Sequence, residues 1–155
     1  MAKRIGIISD THGLLRDPVK SRLANCDIII HAGDIGSQSV LMELRQMAPL
    51  VVAVRGNVDA GQWAKELKEQ ERLEIEGRAI GVVHNIRTLT LDPRSAGIDV
   101  IIHGHSHKPA IEREDGILYV NPGSAGPRRF HLPISMAVFH IRPGEILPEL
   151  IEIPA

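Results

Sequence analysis

Seven side chains in this sequence have the types and spacing of a metal site. Asp10 and His12 are separated by one residue, Asp34 follows Gly33, and Asn57 follows Gly56. His84 precedes Asn85, and His105 and His107, again separated by one residue, follow Gly104. Imidazole, carboxylate and amide oxygen, with no thiolate among them, suit manganese, iron, zinc, nickel or cobalt. One catalytic ion takes about three protein ligands plus water. Seven groups therefore suit two ions with one carboxylate shared. A metal pair roughly 3.5–4 Å apart is a recurrent device for hydrolysing phosphoesters. Two divalent cations set against Asp10, Asp34 and a bridging hydroxide leave net positive charge. Such a cluster attracts an anion and stabilises charge that develops on phosphate oxygens.

These residues need elements that bring them together, and the hydrophobic pattern supplies them. Apolar runs at Ile5–Ile8, Asp27–Ala32 and Leu50–Val54 read as buried strands. Between them, Asp17–Ala24 reads as a helix with Asp17 as N-cap and Pro18 at its first position. Ser37–Met47 reads as an amphipathic helix, with Val40, Leu41, Leu44 and Met47 at helical spacing. This β-α-β-α-β order predicts a parallel sheet with right-handed crossovers. Leu73–Glu76 and Arg78–His84 flank Gly77 as a hairpin, and a short helix is expected near Pro93–Ala96. Further strands are expected at Asp99–Ile102, Ile117–Val120 and Ile134–Ile141, with an edge strand at Leu147–Ile153 limited by Pro148 and Pro154. The second half reads as more antiparallel than the first. All seven candidate ligands then fall at carboxyl ends of strands, the edge where open α/β sheets bind ligands. Gly33, Gly56 and Gly104 precede three of them, where glycine permits a sharp turn and close approach of backbone.

Composition bounds the alternatives. The chain has 155 residues, 43% hydrophobic and 24% charged, which predicts one domain over residues 1–155 with a real core. No apolar run approaches the roughly 18 residues of a membrane span. The start of the chain lacks the pattern of a signal peptide, so a cytoplasmic protein is expected. The formal net charge of −1 argues against a general nucleic-acid partner. The single cysteine, Cys26, excludes a disulfide framework and a cysteine zinc ribbon. Eight histidines outnumber two Phe, one Trp and one Tyr together, so the core must be aliphatic and the histidines call for a role.

The order Asp10-x-His12, Gly33-Asp34, Gly56-Asn57-x-Asp59, His84, Gly104-His105-x-His107 resembles the calcineurin-like metallophosphoesterase superfamily. Asn121-Pro122-Gly123-Ser124, followed by Pro127-Arg128, is similar to its small single-domain prokaryotic phosphodiesterase branch. The resemblance implies a four-layer α/β/β/α sandwich with two mixed β-sheets. It implies that Asp10, His12 and His107 hold one divalent ion, that Asn57, His84 and His105 hold a second, and that Asp34 bridges them. Manganese is the expected metal, with iron, nickel, zinc and cobalt as alternatives. The implied activity is phosphodiester hydrolysis by in-line attack of a metal-bridging hydroxide on phosphorus. A phosphomonoesterase is the sibling reading. A non-enzymatic scaffold, as in the retromer subunit of this fold, is disfavoured because all seven ligand positions are present.

One departure is specific to this chain. The third block of the superfamily usually carries a histidine after the asparagine, thought to protonate the leaving group; here that position is Val58. General acid catalysis typically supplies about 10²–10⁴-fold, so a preference for acidic leaving groups is expected. His131 is the candidate substitute acid. Asn57 and Arg128 are candidate substrate contacts, Arg128 because guanidinium recognises phosphate bidentately. Asp59 is expected behind the ligands, or as a cap. His31, His103 and His140 are expected to be structural. Asn85 stands where a glycine is common. The expected partner is a small phosphoester, without membrane attachment, and a homo-oligomer is compatible with the sequence.

Overall fold

The computed structural model describes residues 2–154. The chain runs β1 (Lys3–Ile8), α1 (Asp17–Leu23), β2 (Ile28–His31), α2 (Gln38–Arg45), β3 (Leu50–Ala53) and α3 (Gln62–Lys65). It continues through β4 (Gln70–Ile75), β5 (Arg78–Val83), β6 (Val100–Ile102), β7 (Ala110–Glu114), β8 (Ile117–Asn121), β9 (Ser135–Arg142) and β10 (Glu145–Glu152). Two five-stranded mixed sheets result, ordered β10-β9-β1-β2-β3 and β4-β5-β6-β8-β7.

Strand alternation explains how the sheets stack. Ile5 and Ile7 of β1, Ile30 of β2 and Phe139 of β9 meet Val82 of β5, Ile102 of β6 and Val120 of β8 in one apolar cluster between the sheets. Alternate positions face the other way: Ile8 and Ile29 pack with Val19 and Leu23 of α1 and Leu41 and Leu44 of α2. A side chain at Gly6 would run into Leu23 of α1, so this glycine lets the helix lie close to the sheet. α2 begins at the Ser37 N-cap, whose side chain accepts from the Val40 N–H. On the outer side of the second sheet the cover is thin. Val83, Ile98, Ile101 and Ile117 pack there under Ile86, Leu89 and Ala96, with one 3₁₀ turn at Ile86–Thr88.

Two expectations are corrected, the Pro93–Ala96 helix and the strand count of the second half. The Pro93–Ala96 segment forms turns rather than a helix. Asp92 caps it by accepting from the Arg94 N–H and the Ser95 hydroxyl, and Gly97, at φ 71°, ends it. The second half is more antiparallel than the first, as expected: β4 pairs antiparallel with β5, β7 with β8 and β9 with β10, while β5 pairs parallel with β6 and β6 parallel with β8. β7, absent from the sequence expectation, pairs antiparallel with β8 across an Asp115-Gly116 turn with both residues at positive φ. Its polar Glu112-Arg113-Glu114 stretch concealed it, because this edge strand is largely exposed.

The parallel strands β1, β2 and β3 of one sheet and β5, β6 and β8 of the other therefore end at loops that carry every candidate ligand. No helix of the described residues is long and apolar enough to cross a membrane.

Candidate metal centre

The loops are stitched together by backbone before any side chain is considered. Asp10 N–H donates to Gly33 O at 3.0 Å, His12 N–H to Asp34 O at 3.0 Å, and Gly104 N–H to His84 O at 2.9 Å. Ala125 N–H donates to Ser9 O at 3.0 Å, which ties the loop after β8 to the loop after β1.

Strain concentrates at the same place. Asp10 (φ 55°), His12 (47°), Asp34 (57°), His105 (71°) and His107 (63°) all occupy the left-handed region. Such conformations cost on the order of 1–3 kcal/mol each in a side-chain-bearing residue, and they persist where surrounding contacts over-determine them. Left-handed backbone directs successive side chains inward from a loop too short to do so otherwise.

The three glycines serve mainly as room. A Cβ on Gly33 would lie 2.7 Å from His84 Nδ1. One on Gly56 would overlap the Asp34 backbone nitrogen and carboxylate, and one on Gly104 would overlap Ser9 Oγ and lie 2.8 Å from Asp10 Oδ2. Each glycine is thus the floor under a candidate ligand from another loop. Only Gly33 also has positive φ, at 102°.

Each carboxylate has one oxygen held by the protein and one left over. Asp10 Oδ2 accepts from Ser9 Oγ (2.7 Å) and from the His105 N–H (3.2 Å). Asp34 Oδ1 accepts from the Val58 N–H at 3.0 Å. The remaining oxygens face imidazoles: Asp10 Oδ1 lies 3.4 Å from His107 Nε2 and 3.8 Å from His12 Nε2. Asp34 Oδ2 lies 3.2 Å from His84 Nε2 and 3.8 Å from His12 Nε2. His84 is oriented the same way, with Nδ1 donating to Ala32 O at 2.8 Å, so Nε2 is the ring atom turned to the centre.

Burial alone would raise the Asp34 carboxyl, but the His84 imidazole beside it and the Val58 N–H outweigh this and hold it at about 2. Burial likewise opposes ionisation of Asp10, yet His107 and Ser9 beside it bring it below its ordinary value. Both carboxylates are therefore anionic at neutral pH, as metal ligation requires.

Two groups offer ligand atoms all within 4.8 Å of one another: Asp10, His12 and His107, and Asp34, His84 and His105. Asp10 Oδ1, His12 Nε2 and His84 Nε2 are buried without hydrogen-bond partners. Buried acceptors are rarely left so, and several converging on one point are satisfied together by a cation. The residues present fit divalent metal.

The other candidates are placed as follows. Asn57 is exposed and shares a cavity of about 300 Å³ with His84 and Asn85. Val58 is 51% exposed and meets Asp34 through its backbone. Asp59 is buried, and its carboxylate accepts from Gly36 N–H (2.9 Å) and Gly56 N–H (2.8 Å), clasping two ligand-bearing loops together. Arg128 is exposed and lines a separate cavity with Pro133, Ile134 and Glu152, none of them a candidate ligand. His131 is exposed in the same loop.

His31 is fully buried, with Nδ1 accepting from Gly33 N–H at 3.1 Å and Nε2 at 2.9 Å from Thr11 Oγ1. Thr11 Oγ1 donates to Ile35 O at 2.8 Å, so His31 Nε2 is the donor of that pair and the ring is neutral. Burial pushes its pKa down to about 4. His103 is half-buried and shares a cavity with His105.

Two positioning residues went unread in the sequence. Ser9 and Asn121 both look like ordinary polar ends of strands. Asn121 Nδ2 donates to Gly104 O and reaches Ser106 Oγ, each at 3.1 Å, and so holds the loop that carries His105 and His107. The Asn121–Ser124 motif was the available signal.

The chain belongs to the calcineurin-like phosphoesterase superfamily, whose domain model matches residues 4–144. It is a metal-dependent phosphoester hydrolase. It is 39% identical over 133 residues to a probable metallophosphoesterase of Methanocaldococcus jannaschii, covering 77% of this chain and 67% of that one. An archaeal phosphodiesterase of solved structure superposes with a TM-score of 0.77 at 25% identity, over 96% of this chain and 99% of that one. Vps29 of Entamoeba histolytica, solved with zinc, shares the fold with a TM-score of 0.75 at 22% identity, over 96% of this chain and 98% of that one.

Proposed function

We propose that this chain is a dinuclear-metal phosphodiesterase. Asp10, His12 and His107 hold one divalent ion, and Asn57, His84 and His105 hold the other. Asp34, whose Oδ2 lies between His84 and His12, bridges them. The observation that carries this reading is the set of buried, unpartnered ligand atoms, Asp10 Oδ1, His12 Nε2 and His84 Nε2, with the second polar atom of Asp10 and of His84 already held by the protein. Metal ions there supply positive charge to phosphoryl oxygens and acidify a water for attack on phosphorus. Manganese is the proposed metal; this ligand set also accepts iron, nickel, zinc and cobalt.

The chain's own residues define the rest. Asp10 and Asp34 stay ionised and fix the two ligand groups, and Asn57, at the mouth beside His84, meets the substrate phosphate. The position expected to give a proton to the leaving oxygen carries the hydrocarbon of Val58, which has none to give. Diesters with acidic leaving groups are therefore favoured over alkyl diesters. The relatives named as phosphodiesterases support the diester reading. Hydrolysis of bis-p-nitrophenyl phosphate beside p-nitrophenyl phosphate, after metal stripping and re-addition, tests it. Diester turnover restored by manganese is expected. Hydrolysis of neither ester with any divalent metal overturns the enzyme reading, and hydrolysis of the monoester alone makes this a phosphomonoesterase.

A further inference from the structure

The residue after His84 divides the approach to the centre in two. Asn85 lines a cavity of about 300 Å³ together with Asn57 and His84, and also a second of about 400 Å³ together with Arg87, His103 and His105. The His84 and His105 rings, one in each cavity, stand edge to face with centroids 5.2 Å apart. The two cavities are thus neighbours on either side of one ligand group.

The dividing wall is built rather than loose. Asn85 Oδ1 accepts from the Arg87 N–H at 3.1 Å, and Asn85 O accepts from Thr88 N–H at 2.9 Å and Thr88 Oγ1 at 2.8 Å. These bonds fold Ile86–Thr88 into a 3₁₀ turn that stands beside the centre.

In-line displacement places the leaving oxygen opposite the attacking one, while the second ester oxygen points sideways. The two organic arms of a diester therefore leave phosphorus in different directions and need two recesses. Their charges differ here. In the first cavity Arg55 is engaged by Glu69 at 3.1 Å, and both Asp59 oxygens hold backbone N–H groups. In the second, Arg87 makes no ion pair among the described residues, and no carboxylate lines the cavity.

Resting on the phosphodiesterase reading above, we infer that the substrate straddles Asn85, and that Arg87 reads a further phosphate carried on the arm in the second cavity. Guanidinium binds phosphate bidentately, and nothing in that cavity competes for it. Arg87 is a specificity residue in this scheme.

The test is calorimetric and needs no turnover. Thymidine bearing phosphates on both hydroxyls is titrated into the manganese-loaded protein, against thymidine bearing only the primary phosphate. The doubly phosphorylated ligand is expected to bind about tenfold more tightly, as one charge-assisted contact at a partly exposed site implies. Arg87→Gln is expected to shrink that ratio to within about threefold, and Arg87→Lys to keep part of it, since the charge remains. Equal affinities in the unaltered protein, or an undiminished ratio in Arg87→Gln, overturn the inference. Bis-p-nitrophenyl phosphate hydrolysis by the unaltered protein is followed in parallel. Its absence would remove the phosphodiesterase reading, while the affinity ratio would still decide what Arg87 binds.

Discussion

Asp59 provides a sharp test of how the centre is held. Its carboxylate accepts from Gly36 on the loop after β2 and from Gly56 on the loop after β3, with both bonds under 3 Å. A hydrogen bond to a charged group contributes roughly 1.5–3 kcal/mol. Gly36 is exposed, so water replaces part of its bond in a variant; Gly56 is half-buried and is left short. Asp59→Ala is therefore expected to lose about 3 kcal/mol, the sum of two bonds at the lower end of that range. For a chain of this size that lowers the thermal midpoint by about 6–12 °C. The Gly56 backbone also abuts Asp34, so loosening it moves the Asp34 carboxylate. Outer partners of metal ligands typically alter metal affinity about 10–100-fold. Asp59→Asn, with one acceptor oxygen, should show about half of each effect. Thermal unfolding with and without metal, and calorimetric manganese titration, measure both. The clasp predicts a loss of stability even in the metal-free protein, and kcat restored to within a few-fold at saturating metal. Unchanged stability and affinity with a 100-fold fall in kcat would refute it and place Asp59 among groups acting on the substrate.

Three other predictions follow from the geometry. Gly104→Ala forces a Cβ against Ser9 Oγ and Asp10 Oδ2, so it should weaken manganese binding more than about tenfold while the fold, read by circular dichroism, survives. His31 is held neutral by burial, with its pKa lowered from 6.5 to about 4, so the unfolded chain binds its proton first and the metal-free protein loses stability as pH falls from about 6.5 to 4. That loss amounts to roughly 3 kcal/mol at full shift, and in His31→Gln the slope of urea midpoint against pH over that window should flatten. Val58 is 51% exposed and can accommodate a larger side chain, so Val58→His should raise kcat on an alkyl diester by about tenfold or more and leave bis-p-nitrophenyl phosphate little changed; equal effects on both esters would remove the missing-acid argument.

The candidate ligands were legible because each follows an apolar strand, and parallel strands must end at a common edge. Asp10, Asp34, His84 and His105 needed no knowledge of pairing to be placed there. The partners of those ligands were not legible, because they lie far off in sequence: Ser124 reaches the Asp10 carbonyl across 114 positions, and Asn121 reaches Gly104 across 17. The glycines were read as allowing a sharp turn and close approach of backbone; that Gly56 and Gly104 leave room for a neighbouring loop's carboxylate is visible only once the loops are assembled. The β7–β8 hairpin had a strong local signal in Asp115-Gly116. It was missed because β7 buries almost nothing, so hydrophobic periodicity had nothing to report. His31 shows the reverse case: its structural role was anticipated from its place in an apolar strand, but its fixed tautomer depends on Thr11 and Gly33 together.

On the proposed reading, two separate groups of side chains each hold one divalent ion. Manganese titration of the stripped protein, followed by elemental analysis after desalting, measures this directly. Two ions per chain are predicted for the unaltered protein, with one site lost in His107→Ala. A stoichiometry of one ion or none in the unaltered protein would contradict the account.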